Sequence, residues 1–205
     1  MFRLALALFL SCCVVSQTHA MVIMDFESAF SVGRQQIIQG EFEINMDGPS
    51  GFMQIFSPSD ATGVPQNGTR FVQMSTPFRF PAVLSARDGS LFDLFSIDLG
   101  EYSSVFQIPR TSTFIGYTAT GETLTQTFTV DGFFDGPGGL ADFESFRFGS
   151  NWRDLIQVEF GYGHTFDNIQ LQKRSAAPEP GVVMLLLLGL VGLVRSRRSR
   201  QLFKM

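Results

Sequence analysis

The chain has only two cysteines, and both stand near its start, as Cys12 and Cys13. They fall in a segment with the features of an export signal. The remainder therefore has no disulfide, no thiolate nucleophile and no cysteine metal ligand. Histidine is almost as scarce, and of His19 and His164 only the second lies outside that segment. Ser-His-Asp catalysis would have to use His164, whose neighbours Gly163 and Thr165 show no nucleophile-elbow glycine pattern. Tryptophan occurs once and tyrosine three times, against 23 phenylalanines. Basic charge is lacking too. Between Met21 and Arg174, eighteen Asp and Glu stand against nine Lys and Arg, a net of nine negative charges. Such a body disfavours nucleic acid, whose affinity comes from neutralised phosphates, and leaves cations and neutral sugars as more natural partners. Solubility accounts for most of the acidic surface.

The two ends differ from the body. MFRLALALFLSCCVVSQTHA, residues 1–20, has a positive start at Arg3, an apolar middle from Leu4 to Val15, and Thr18-His19-Ala20 as a small-residue cleavage site. That order is a secretory signal peptide, with cleavage after Ala20. Acylation at Cys12 fits less well, because the apolar stretch is short and Phe9 stands where a lipobox usually has Leu. Near the other end, Gly181 to Val194 carries no polar side chain. As a helix it covers about 21 Å, short of the roughly 30 Å hydrocarbon core, and Ala176 and Ala177 can extend it. Pro178 and Pro180 make a poor helical entry. Arg195, Arg197, Arg198 and Arg200 follow, and basic clusters of this kind stay on the cytoplasmic side. The body is thus expected outside, held by a single C-terminal transmembrane helix.

Pro178-Glu179-Pro180, a short apolar span and Arg195-Ser196-Arg197-Arg198, in that order, resemble the PEP-CTERM sorting signal of Gram-negative bacteria. The resemblance implies transient inner-membrane anchoring, cutting near Pro-Glu-Pro by an exosortase-type enzyme, and delivery to the cell surface or extracellular matrix, after export by the Sec machinery that the signal segment calls for. The organisation expected is signal peptide 1–20, body 21–172, linker 173–177 and sorting signal 178–205.

The body shows short alternating segments rich in Phe, Thr, Val and Ile, broken by turn residues. In TFIGYTATGETLTQTFTV, Leu124, Gln126, Phe128 and Val130 face one way and Thr123, Thr125, Thr127 and Thr129 the other, after a turn at Thr120-Gly121. MVIMDFESAF, QIIQGEFEINM, RFVQMS, LFDLFSIDL, FESFRFG, DLIQVEFGY and TFDNIQLQ complete the strand candidates. Val64 to Thr69 reads as a long exposed loop. Eight or more such strands predict an all-β fold, an antiparallel β-sandwich of jelly-roll type with a phenylalanine core. The pattern from SLFDLFSIDLGEYS through the hairpin to NWRDLIQVEFGYGHTFDNIQL is similar to galactose-binding-like and carbohydrate-binding modules.

Three constellations bear on function. Asp25-Phe26-Glu27 and Phe166-Asp167-Asn168 converge if the first and last strands are neighbours, and a hard cation such as Ca²⁺ wants six to eight oxygens. Resemblance to the binding modules implies structural calcium there, with Glu27 and Asp167 as the matching ligands. The plainer reading is that Asp167-Asn168 shapes a strand entry and Glu27 is solvated. Aromatics are the second constellation. Trp152, in the loop-like Gly149-Ser150-Asn151-Trp152, and Tyr162 are the candidates for stacking on a sugar, beside Tyr102 and Tyr117. As core or rim aromatics they would need no ligand. Third, eighteen carboxylates always supply some pair at glycosidase spacing, so abundance removes the signal. The expectation is a non-catalytic exported protein that binds extracellular polysaccharide. The alternatives are a structural matrix component without a ligand site and, behind it, a secreted hydrolase.

Overall fold

The computed structural model of the protein describes residues 20–33, 35–46, 48, 52–57, 64–65, 67–75, 81–102, 108–135, 142–161 and 164–174. The signal segment before Ala20, and Pro178-Glu179-Pro180 with the apolar and arginine-rich stretches after it, lie outside them. Among the described residues no helix is long and apolar enough to cross a membrane.

Among the described residues thirteen strands succeed one another: β1 (Val22–Met24), β2 (Phe30–Val32), β3 (Gln36–Gln39), β4 (Phe42–Met46), β5 (Phe52–Phe56), β6 (Phe71–Ser75), β7 (Ala82–Ala86), β8 (Phe92–Gly100), β9 (Arg110–Thr118), β10 (Thr123–Val130), β11 (Phe143–Arg147), β12 (Leu155–Phe160) and β13 (Thr165–Lys173). Their ladders are antiparallel and form two layers. One runs β2-β3-β4-β7-β12-β9-β10 and the other β11-β8-β13-β6-β5, with β1 also on β13. A single ladder pair, Leu155 opposite Phe92, joins β12 of the first to β8 of the second. The fold is an all-β antiparallel sandwich, and its first and last strands are indeed neighbours, Val22 opposite Leu171.

Alternation explains the layers. In β10 Leu124 and Val130 are buried, Gln126 and Phe128 half-buried, and the four threonines exposed. Gly121 makes the hairpin turn with φ 85°, a conformation open to a residue without Cβ. Aromatic rings pin the layers together edge to face, a favoured ring geometry. Phe160 of the first meets Phe166 of the second with centroids 5.4 Å apart, and Phe42 meets Phe92 at 5.7 Å.

β10 and β11 meet at a seam crossed by side chains. Gln126 donates through Nε2 to the Arg147 carbonyl at 3.0 Å and accepts from Gly149 N at 3.1 Å. Asp131 N donates to Glu144 Oε1 at 2.9 Å, and Phe128 stacks on Phe146 at 4.9 Å.

Four expectations need correction. QIIQGEFEINM is a hairpin, β3 and β4, turning at Gly40 with φ 58°. MVIMDFESAF splits into β1 and the start of β2, since Phe26 takes φ 57° and Ala29 N bonds back to Phe26 O. Segment 64–69 is not wholly exposed. Val64 and Pro65 are buried, with Val64 in a small second cluster containing Phe71 and flanked by Phe56 and Phe143. Finally β13 extends through Lys173, so ordered structure runs past the expected linker boundary.

Candidate functional site

Strand β2 ends its layer, and its Phe30, Ser31 and Val32 are all exposed. Between β2 and β5 lies an open groove of about 530 Å³, lined by Phe30, Ser31, Met53, Gln54, Ile55 and Arg70 among others. Phe30 is 55% exposed and offers an apolar ring face. Arg70 is anchored at this wall by Glu27. Its backbone N donates to Glu27 Oε1 at 2.8 Å, and its guanidinium Nη1 donates to the Glu27 carbonyl at 2.7 Å. The groove thus combines a flat apolar surface with a guanidinium, an amide and a hydroxyl. That is the donor and acceptor mixture suited to a polyhydroxylated ligand.

Glu27 and Asp167 both attach to segment 67–70, but to separate atoms. Asp167 is wholly buried, and protein donors surround its carboxylate. Oδ2 accepts from Asn67 Nδ2 at 2.6 Å and Thr69 Oγ1 at 2.9 Å, and Oδ1 from Asn168 N at 2.7 Å. Burial pushes this carboxyl up to about 6 against these donors, and Asp98 nearby adds to the rise. Three N–H or O–H donors already take the Asp167 oxygens, and the Arg70 guanidinium occupies the Glu27 carbonyl.

Trp152 is a core residue rather than a stacking platform. It is 2% exposed, with its ring 4.6 Å from Phe148. Trp152 N bonds to Gly149 O at 3.1 Å, and this tight turn folds the side chain inward. A Cβ at Gly116 would stand 3.0 Å from both Trp152 Cζ3 and Leu155 Cδ2, so an added methyl requires the ring or the leucine to give way. Tyr162 lies outside the described residues. Tyr102 is half-buried with the Arg110 guanidinium 5.9 Å from its ring centre. Burial and Glu159 raise the hydroxyl pKa of half-buried Tyr117. His164 Nδ1 lies 2.9 Å from Ser112 Oγ, and both residues are buried.

A third set of residues was not anticipated. Glu101 directly after β8, Asp131 directly after β10 and Glu144 in β11 bring one carboxylate oxygen each to within 4.8 Å of the others. Glu101 is 1% exposed, and its Oε2 is buried without a hydrogen-bond partner among the described residues. Burial raises the pKa of Glu101, Glu144 and the adjacent Asp142, and repulsion among these carboxylates, Asp131 and Asp135 adds to it. The only sequence signal was the Asp131-Gly132 turn, because the three side chains converge from strands far apart in the chain.

No protein-family model matches the chain, and no curated protein matches it. Among solved structures it is similar to the Clostridium thermocellum N-terminal endo-1,4-β-D-xylanase 10B CBM22-1–GH10 modules complexed with xylohexaose, at 13% identity and a TM-score of 0.41. The match covers 75% of this chain and 28% of that one.

Proposed function

We propose that this chain is an exported, C-terminally anchored and processed surface or matrix protein whose sandwich binds extracellular polysaccharide through the β2–β5 groove. Export and anchoring rest on the signal segment 1–20, the Pro178-Glu179-Pro180 motif, the apolar stretch 181–194 and the arginines after it. The observation that carries the binding reading is Phe30, an exposed ring beside Ser31, Gln54 and Arg70 in one open groove. Aromatic faces stack on sugar rings, while guanidinium, amide and hydroxyl groups pair with sugar hydroxyls. The acidic body favours neutral over anionic polymers. This reading assigns the chain no catalysis.

The test is affinity electrophoresis of the full-length chain in mild detergent against a panel of neutral and acidic polysaccharides. Retardation that Phe30→Ala and Gln54→Ala abolish, without a change in unfolding midpoint, supports the groove. Retardation that survives both variants overturns it. A structural matrix role is the second reading, favoured by β2, whose terminal place in its layer leaves Phe30 and Val32 exposed for another copy. It predicts no retardation by any polymer and self-association that Val32→Lys removes.

A further inference from the structure

We propose that Glu101, Asp131 and Glu144 form a divalent-cation site, best matched to Ca²⁺, that clamps the two layers at the end of the β10–β11 seam. Three observations carry it, none of them involving the groove or the Glu27–Asp167 region.

The first is distance. When three oxygens lie mutually within 4.8 Å, some point stands within about 2.8 Å of all of them, close to the roughly 2.3–2.6 Å of a calcium–oxygen bond. Small adjustments of carboxylate torsions then bring all three into bonding range. The donors are all oxygen and all anionic, the chemistry of a hard cation, with no nitrogen or sulfur to select zinc or copper.

The second is the Glu101 carboxylate. A side chain 1% exposed with Oε2 unpartnered is expensive to bury, and such groups are paired or bound to metal in folded proteins. The other two carboxylates cannot donate a hydrogen bond to it when ionised. A cation can satisfy all three at once.

The third is placement. Glu101 follows β8 and Glu144 lies in β11 of one layer, whereas Asp131 directly follows β10 of the other. At this seam only side chains, such as Gln126, and the Asp131 N–Glu144 Oε1 bond link the described strands. A bound ion would cross-link strand ends that no ladder joins, so its main effect would be on stability. Water and nearby Asp142 or Asp135 oxygens can complete the six to eight ligands calcium takes.

The test uses the full-length chain in mild detergent, stripped with chelator and titrated with calcium chloride alone. Calorimetry should show saturable binding, and a hundredfold excess over Kd should raise the unfolding midpoint by about 5–10 °C. The double variant Asp131→Asn, Glu144→Gln should lose both responses. Glu101→Gln separates this site from a merely structural carboxylate. It should unfold at a higher temperature than the parent in chelator, because a buried charge is gone, and at a lower one in calcium. Absence of calcium binding by the parent, or an undiminished calcium response in the double variant, overturns the proposal.

Discussion

Asn67 donates its side-chain amide to the Asp167 carboxylate, Nδ2 to Oδ2 at 2.6 Å, across 100 residues of sequence. Together with Thr69 and Asn168 it compensates a carboxyl that burial nevertheless raises to about 6. That value lies above the ordinary 3.8, so between the two the folded chain holds this proton more tightly than the unfolded one. Stability then falls as pH rises through that window, by about 3 kcal/mol in all from this group. Asp167→Asn should flatten the decline. Urea unfolding of parent and variant at about pH 4 and about pH 7 measures the difference.

Trp152→Ala should cost about 3–5 kcal/mol, the usual penalty for emptying a large aromatic site in a core. If the groove binds polysaccharide as proposed, the folded fraction should bind it with unchanged affinity, because the ring is packed in the core. Equilibrium unfolding and binding on the same preparation separate the two effects.

Gly116→Ala places a Cβ 3.0 Å from the Trp152 ring and from Leu155 Cδ2. A loss of about 1–2 kcal/mol is expected from this overpacking. If Trp152 is first made Phe, the smaller ring should tolerate the methyl, and the two substitutions should couple in a double-mutant cycle.

Arg174 clamps Asp93 with two contacts, Nε to Oδ1 at 2.9 Å and Nη2 to Oδ2 at 2.8 Å, and the Asp93 side chain is only 4% exposed. Arg174→Ala leaves this nearly buried carboxylate with the Asp154 N–H on Oδ1 but nothing among the described residues on Oδ2, and should lower stability by about 2 kcal/mol. Lys173→Ala should lose less, since its partners Glu41 and Asp88 are more than half exposed. Chains truncated after Gln172 and after Arg174, compared by thermal unfolding, give the combined effect.

Where local pattern decides structure, the sequence was readable. The Thr123–Val130 arm alternates so regularly that its two faces follow from period-two geometry alone. β7 was not anticipated, because its buried Ala82 and Ala86 have too little apolar bulk to stand out. Pro65 looked like loop surface, yet its Cβ sits 3.1 Å from where a Gly100 side chain would begin, a contact set by tertiary packing. Trp152 misled for a related reason. Gly149, Ser150 and Asn151 are loop residues, but the turn they make points the ring inward. The carboxylate trio was hidden because each member is an unremarkable acid beside a strand end, and only the crossing of layers assembles them. Arg70 belongs to the groove through Glu27, a partner 43 positions away.

β13 pairs with β8 along one edge and with β6 and then β1 along the other. It is also the final strand of the body. A polypeptide threaded amino end first therefore carries a gap where its keystone belongs until residues 165–173 emerge. Such distant pairings close slowly. If the chain is exported as proposed, its body would lock only after residues 165–173 have emerged.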